Sequence, residues 1–192
     1  DNSSKIYNSM VILDNKLNLI SEYNKIKLVP FGEFLPFEKF FKKVGLKKIS
    51  YGYESFSAGN DRNLISLNNK NFNFIPLICY EIIYSGKVNL TSDKTNFIIN
   101  ISEDGWFGDS IGPYQHFSHS IFRAIEEGKN IIRASNNGIS AYIDSNGLII
   151  DKLESTHKGA IEINNYKNSK STFFSKFGNK IFFYFVLFYI SL

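Results

Sequence analysis

The sequence predicts a layered domain of the mixed α+β or α/β class. Short strand-like segments dominate the chain, and one segment at 113–128 has clear helical periodicity. Residues 96–101 form a nearly continuous apolar run, which is typical of a strand buried on both faces of a sheet. Strands that bury one face and a helix that buries one stripe become stable by packing in layers.

Each element is predicted from its own pattern and from the residues that end it. The helix is expected to begin at Pro113, which suits a first helical turn, and to end at Gly128, which suits a left-handed cap. Its apolar face consists of Phe117, Ile121, Ala124 and Ile125. The turn at 145–147 ends in a glycine and has the chemistry of a hairpin. Strands are predicted at 9–14, 19–29, 63–67, 72–79, 96–101, 130–135, 139–144, 148–153 and 159–163.

Composition and charge exclude several classes of protein. The chain has 192 residues, of which 22 are Lys or Arg and 18 are Asp or Glu, giving a formal charge of +4. Hydrophobic residues make up 43% of the chain and charged residues 21%, which excludes a disordered or collagen-like chain. The net charge is too small to indicate a nucleic-acid partner. The single cysteine, Cys79, excludes an intrachain disulfide. Aromatic residues make up 16% of the chain, which indicates an aromatic core or a surface that meets something apolar, such as a membrane.

Both ends of the sequence have the appearance of cuts. Residue 1 is Asp, and the run at 180–192 is strongly apolar and uncharged after Lys180. A membrane-crossing helix needs about 20 apolar residues, so this run is expected to be the start of a transmembrane helix. The alternative is a buried strand or a core helix. The predicted organisation is therefore one folded domain at 1–179 and the start of a membrane helix at 180–192.

A segment at about 34–58 interrupts the strand pattern and is predicted to be a lid-like insertion. It mixes large aromatic side chains with lysines, which suits a membrane interface or a lid over an apolar substrate. The alternative is a short amphipathic helix with a solvated lysine face.

Cys79 is the first candidate for chemistry, because it follows an apolar strand and is followed at once by polar groups. A side chain at a strand end faces a cleft, and the thiolate form of cysteine is a strong nucleophile. The alternative is a small buried hydrophobe. A nearby cation would activate the thiol, and the predicted strand 19–29 offers Lys25 and Lys27, which alternation sends to one face.

Four motifs then stand in a recognisable order. They are YNKIKLVPFGEFLP at 23–36, ICYEI at 78–82, DGWFGDSIGPYQHF at 104–117 and RASNNGI at 133–139. Together they resemble the apolipoprotein N-acyltransferases, bacterial membrane enzymes whose catalytic domain belongs to the nitrilase, or carbon–nitrogen hydrolase, superfamily. The resemblance covers nearly the whole chain, and the second half of the first motif together with the third motif is highly specific.

The resemblance implies a nitrilase-like αββα sandwich that lacks its N-terminal part, and a Glu-Lys-Cys triad. Cys79 matches the nucleophile and Lys25 the triad lysine. The remaining site residues that it implies are Glu33, a second acid of the site, Tyr80 and Glu81 beside the nucleophile, and Trp106, Phe107 and Phe34 for substrate binding.

The sequence departs from the family pattern at two places. The triad glutamate should precede the lysine by many residues, and Glu22 is too close to Lys25 to be that residue. The chain alone is therefore expected to be inactive without an upstream glutamate. Glu103 and Gly105 stand where the family more often has Asn and Ala, which alters the backbone contacts expected near the site.

The resemblance implies covalent catalysis by an acyltransferase of lipoprotein maturation. Cys79 would take a fatty acyl chain from a phospholipid as a thioester, and the N-terminal amine of diacylglyceryl-cysteine in an apolipoprotein would then accept it. The expected location is the bacterial inner membrane, with the catalytic domain facing the periplasm.

Two other functions stay open at this point, and neither a cofactor nor a metal is predicted. One is a soluble amidase of the nitrilase superfamily that hydrolyses a small amide, and the other is a non-catalytic membrane-associated remnant. His116 and His119 lie one helical turn apart, but without a third ligand nearby a structural role is favoured over a metal site.

Overall fold

The structure is a computed structural model that describes residues 5–37, 43, 45, 55–67, 72–86, 88, 94–167 and 170–192. It divides the chain into two compact units, Asp1–Asn63 and Leu64–Leu192. Most of the predicted lid-like insertion at 34–58 lies outside the described residues.

The first unit contains a two-stranded antiparallel sheet of β1 (Ser9–Leu13) and β2 (Leu19–Asn24). The Asp14 carboxylate accepts hydrogen bonds from the backbone N–H groups of Lys16 and Asn18 and so closes the turn between the strands. The strand predicted at 19–29 ends at Asn24, and the prediction was wrong for the residues after it. The reason is the partner strand, because Ser9, the first residue of β1, pairs with Asn24 and the ladder ends there.

The second unit is built on a six-stranded sheet in the order β3-β4-β5-β6-β7-β8. The strands β4, β5 and β6 run parallel to each other, and the outer pairs are antiparallel. This arrangement confirms the α/β class and places the apolar run at 96–101 in the middle of the sheet. The bounds are β3 (Ile65–Leu67), β4 (Phe72–Ile78), β5 (Phe97–Glu103), β6 (Asn130–Asn136), β7 (Ser140–Ile143) and β8 (Ile149–Leu153).

The strand predicted at 159–163 is not formed. In the described structure these residues belong to no strand, and the sheet ends at β8. A short apolar segment becomes a strand only where a sheet edge accepts its backbone hydrogen bonds. The hairpin between β7 and β8 is confirmed, with Gly147 at φ +85° in its turn.

The helix α1 (Gly112–Glu127) has Pro113 in its first turn and Gly128 as a left-handed cap, as predicted. Ala124 and Phe117 are buried, but Ile125 is 48% exposed, so the predicted apolar face is narrower than expected. The helix contributes to the hydrophobic core beside the sheet. The buried core consists of Ile75, Leu77, Ile82, Val88, Ile98, Phe117, Ala124, Ile131, Ile139, Ala141 and Ile143.

The chain ends in two helices, α2 (Phe173–Phe177) and α3 (Lys180–Ile190). Side chains along α3 are exposed, with Phe182 at 66% and Phe185 at 69%, so the alternative of a buried strand or core helix was wrong. None of the helices formed by the described residues has the length and hydropathy needed to cross a bilayer. The transmembrane helix at 180–192 therefore stays a prediction.

Candidate active site

Cys79 lies directly after β4, at the first position of a 3-10 helix (Cys79–Ile83). Its backbone has φ +51°, a conformation that is costly for a residue other than glycine and that often marks functional turns. The side-chain amide of Asn100 donates to the carbonyl of Cys79 at 3.3 Å and supports this turn. Cys79 is half-buried and is not part of the hydrophobic core. The sheet thus presents the thiol at the carboxyl end of a parallel strand, where α/β proteins place ligands.

Tyr80 and Glu81 continue this turn, and they have different environments. Glu81 is fully buried, and its carboxylate accepts the backbone N–H of Ile78 at 2.9 Å. This contact fixes the junction between β4 and the 3-10 helix and therefore the backbone at Cys79. Tyr80 is half-buried, and its ring lies 6.1 Å from the ring of His116, measured between centroids.

In the first unit, buried Lys25 and half-buried Glu33 form an ion pair. The Lys25 Nζ lies 2.8 Å from one carboxylate oxygen of Glu33 and 2.9 Å from the other. Asn8 and the backbone N–H of Val29 also donate to this carboxylate. Lys25 is 1% exposed, whereas Lys27 is exposed. The expected alternation of the two lysines on one face was wrong, because both lie beyond the end of β2.

Gly59 fixes the backbone at Lys25 and was not identified from the sequence. Its N–H donates to the carbonyl of Lys25 at 2.8 Å. A Cβ atom at this position would lie only 2.2 Å from the carbonyl oxygen of Asn24. No side chain fits there without displacing the segment that carries Lys25, so the close approach of the two backbone segments requires glycine.

A buried polar network lies at the carboxyl ends of the parallel strands in the second unit. Arg133 of β6 donates to the Asp104 carboxylate at 2.7 Å, to the carbonyl of Ile139 at 3.2 Å and to the side-chain oxygen of Asn100. Burial raises the pKa of the Asp104 carboxyl, but hydrogen bonds from His116 and Ser102 and the charge of Arg133 together hold that pKa well below its usual range. Through Asn100, the network is joined to the carbonyl of Cys79.

This network was missed from the sequence, although a signal was available. Asn100 interrupts the apolar run of β5, and Arg133 stands in the apolar part of β6. The register pairs these two residues across the sheet. A polar residue in the middle of a buried strand needs a partner, and two such residues on neighbouring strands predict that they meet.

Trp106 and Phe107 lie on a second 3-10 helix, Gly105–Phe107, directly after β5. Trp106 is 63% exposed, while the ring of Phe107 lies 5.5 Å from that of His116 between centroids. The unusual Glu103 holds this loop. Its carboxylate accepts the backbone N–H of Gly105 at 2.7 Å and the side-chain amides of Asn136 and Asn137.

Phe34 lines an open apolar cavity of about 430 Å³ within the first unit. This volume is in the range of sites that bind small organic ligands. Two residues that line the cavity, Ile26 and Leu28, follow Lys25 closely in the sequence. Its lining consists of Ile26, Lys27, Leu28, Phe34, Phe56 and Ala58.

The structure therefore brings the predicted site residues together in two groups. Lys25, Glu33 and Phe34 lie in the first unit, and Cys79, Tyr80, Glu81, Trp106 and Phe107 lie in the second. Within the described ranges, the side chains of His, Cys, Asp and Glu form no group of three that could hold a metal ion.

The second unit thus carries a cysteine on a turn at the end of a parallel strand, and the first unit, taken by itself, carries a Lys-Glu ion pair. A sequence model of the carbon–nitrogen hydrolase family matches residues 1–164, and the chain belongs to that family. Among the solved structures, an amidase from Nesterenkonia sp. AN1, with acrylamide added at its active site cysteine, superposes with a TM-score of 0.50. The two chains are 14% identical, and the match covers 77% of this chain and 52% of the amidase, so this likeness shows the fold alone.

The similar curated proteins carry a narrower name than the family model does, and they confirm the resemblance that the motifs indicated. Proteins named apolipoprotein N-acyltransferase from Brucella melitensis and Rickettsia typhi are both 39% identical to this chain, over 158 and 176 residues. The protein of that name from Rhizobium leguminosarum is 40% identical over 159 residues. The matches cover 82–91% of this chain but only 30–35% of the relatives, so the chain spans about a third of their length.

Proposed function

We propose that the chain forms part of the catalytic domain of an acyltransferase that completes bacterial lipoproteins. The enzyme moves a fatty acyl chain from a phospholipid to the N-terminal amine of a diacylglyceryl-cysteine in an apolipoprotein. The observation that carries this proposal is the identity of 39–40% to proteins named apolipoprotein N-acyltransferase over at least 82% of the chain. The amidase is less similar at 14% identity, which supports a common fold but not a common substrate.

In the first half-reaction, the Cys79 thiolate attacks the carbonyl carbon of the phospholipid ester. The carbon–sulfur bond forms and the carbon–oxygen bond breaks. The lysophospholipid leaves after its oxygen takes up the proton that the Cys79 thiol gave up when it became the thiolate. The Lys25 ammonium stabilises the negative charge that develops on the carbonyl oxygen. The Lys25–Glu33 ion pair and the contacts of Gly59 support this role, because they hold the lysine in one position.

In the second half-reaction, the amine of the acceptor attacks the thioester carbonyl. The carbon–nitrogen bond forms, the carbon–sulfur bond breaks, and Cys79 is released while the nitrogen gives up a proton. The glutamate base that the family resemblance implies is not assigned to any residue of this chain. Water must be excluded while the thioester exists, because hydrolysis would release the fatty acid.

The acyl chain is proposed to bind in the cavity lined by Phe34, and exposed Trp106 is proposed to contact the lipid part of a substrate. The cavity is apolar apart from Lys27, as an acyl chain requires. The apolar side chains exposed along α3 support a location at the bacterial inner membrane. We propose that the catalytic domain faces the periplasm there.

A transfer assay tests the proposal and separates it from the two alternatives. The full product of the gene is incubated with vesicles of a palmitoyl-bearing phospholipid and with a synthetic diacylglyceryl-cysteine peptide. We expect the peptide to gain one palmitoyl group, and we expect no gain with Cys79→Ala. Hydrolysis of a short aliphatic amide without transfer would favour the soluble amidase, and neither reaction would favour the non-catalytic remnant.

A further inference from the structure

His116 has one ring nitrogen with hydrogen-bond partners and one ring nitrogen without any among the described residues. Its Nδ1 lies 2.9 Å from a carboxylate oxygen of Asp104, and it lies 3.2 Å from a guanidinium nitrogen of Arg133. The residue is 3% exposed, and its Nε2 makes no hydrogen bond to any residue that the structure describes. Buried polar atoms are normally paired, so the orphaned ring nitrogen points to a partner that is not among the described residues.

The surroundings of His116 determine what kind of partner fits. The Asp104 carboxylate only accepts hydrogen bonds and lies nearer to Nδ1, at 2.9 Å, than Arg133, which only donates, at 3.2 Å. We therefore assign the ring proton to Nδ1, and in the neutral ring Nε2 is an acceptor. The Arg133 guanidinium lies 2.7 Å from the Asp104 carboxylate and compensates its negative charge. The surroundings of the His116 ring therefore carry no net negative charge. The site therefore suits an uncharged hydrogen-bond donor better than a cation.

The ring of His116 lies between two aromatic neighbours. The centroid of the Tyr80 ring is 6.1 Å from that of His116, and the centroid of the Phe107 ring is 5.5 Å away. Both neighbours are half-buried, and Tyr80 follows the nucleophile Cys79 in the sequence. An acceptor among aromatic rings, next to the residue that follows Cys79, suits a small donor group.

We propose that His116 forms the subsite of the amine that attacks the thioester, with Nε2 accepting an N–H of the uncharged amine. The inference rests on the proposed function and adds a binding residue to it. An uncharged amine is the form that can attack the carbonyl, and its N–H groups need an acceptor in a dry site. Asp104 is a positioning residue, since it fixes the ring and its tautomer through Nδ1.

Two variants separate the role of the ring nitrogen that contacts Asp104 from the role of the unpaired ring nitrogen. In His116→Asn the side-chain amide nitrogen takes the place of Nδ1 and still donates to Asp104, but nothing replaces Nε2. His119→Asn is the matched control, since His119 lies one turn further along α1 and is half-buried. The rates of thioester formation and of transfer to the diacylglyceryl-cysteine peptide are measured separately in the full gene product.

We expect His116→Asn to form the thioester at the wild-type rate and to transfer the acyl group about tenfold more slowly, the loss of one hydrogen bond. His119→Asn should leave both rates unchanged. The inference is overturned by transfer at the wild-type rate in His116→Asn, or by an equal loss in both half-reactions, which indicates a structural role. A wild-type protein that forms no thioester would overturn the proposed function and the inference together.

A second pair of variants decides the question if His116→Asn does not fold. His116→Gln and His116→Leu both lose the contact with Asp104, but only Gln has polar atoms near the position of Nε2. The ratio of the transfer rate to the thioester rate is expected to be higher in the Gln variant than in the Leu variant. Equal ratios in these two proteins would overturn the inference.

Discussion

The Lys25 ammonium and the Glu33 carboxylate lie 2.8 Å apart, and the lysine side chain is 1% exposed. Burying an ammonium is costly, and a carboxylate with further donors on its oxygens offsets that cost. Asn8 and the backbone of Val29 supply those donors. The lysine is thus a fixed charge, which is what stabilisation of a developing oxyanion requires.

Removing the charge of Lys25 should affect activity far more than removing that of Lys16, an exposed lysine of the same unit. We expect Lys25→Met to lower the transfer rate by about 10²–10³-fold, the effect of losing one group that stabilises an oxyanion. Lys16→Met is the control, because Lys16 is exposed and is not among the residues that line the cavity. The rates are measured with the phospholipid and the diacylglyceryl-cysteine peptide. Similar rates in the two variants would contradict the role given to Lys25.

Replacing Glu33 should lower the stability of the first unit. Glu33→Gln leaves the Lys25 ammonium buried without its counter-charge, and breaking a buried pair from one side costs about 3–5 kcal/mol. The double variant with Lys25→Met should recover part of this loss, since no buried charge is then left unpaired. Urea unfolding of the four proteins in the cycle measures the effect, and additive losses would show that the pair is not coupled.

Gly59→Ala should disturb the position of Lys25. The added Cβ would lie 2.2 Å from the carbonyl oxygen of Asn24, so the backbone next to Lys25 must move. Gly32→Ala is the matched control for stability, because its Cβ would meet Val29 at 3.4 Å. Thermal unfolding should show a lower melting temperature for Gly59→Ala alone. Equal melting temperatures would mean that the two segments separate without cost.

Asp104→Asn should destabilise the second unit in a way that depends on pH. The folded-state pKa of Asp104 is held below its ordinary value of 3.8, so the carboxylate contributes stability above that pH and loses it as the pH falls further. Near neutral pH we expect a loss of about 3 kcal/mol, because Arg133 is left as an unpaired buried charge. The unfolding free energies of both proteins should begin to converge only as the pH falls below about 4, and should approach each other further as the pH falls toward the folded-state pKa. A constant difference over the whole range would contradict the assignment.

The exposed helix α3 should bind phospholipid vesicles. Its aromatic side chains are more than half exposed, and burying each one in lipid is worth about 1.5–3 kcal/mol. Changing Phe182, Phe185 and Tyr189 to Ser should therefore lower vesicle flotation at least about tenfold. Changing exposed Leu148 and Ile150 to Ser is the control for a general loss of apolar surface. Equal flotation of both variants would reject α3 as a membrane contact.

Local patterns predicted the strands and α1 well, because burial on a sheet or beside it leaves a periodic trace in the sequence. The position of Cys79 after β4 followed from an apolar run that ends in polar residues. The end of β2 could not be predicted from its own residues, because a strand ends where its partner strand ends. That end is set by β1, a separate segment of the chain. The strand predicted at 159–163 was wrong for a related reason, since apolar residues alone do not provide a neighbouring strand.

Site residues that belong to sequence motifs were predicted. Site residues that are defined only by contacts in three dimensions were missed. The ion pair of Lys25 and Glu33 could not be predicted from the alternation of side chains along a strand, since both residues lie in the loop after β2. The network of Arg133 and Asp104 joins residues 29 positions apart. The close approach at Gly59 likewise depends on backbone geometry that no local pattern encodes.

The mass of the tryptic peptide that contains Cys79 tests the central claim most directly. The full gene product is incubated with a palmitoyl-bearing phospholipid in the absence of an acceptor and then digested. We predict a peptide that carries one palmitoyl group, loses it on treatment with hydroxylamine, and loses it to the diacylglyceryl-cysteine peptide when this is added. An unmodified Cys79 peptide in a preparation that still acylates the acceptor would contradict the claim that this sulfur carries the acyl chain.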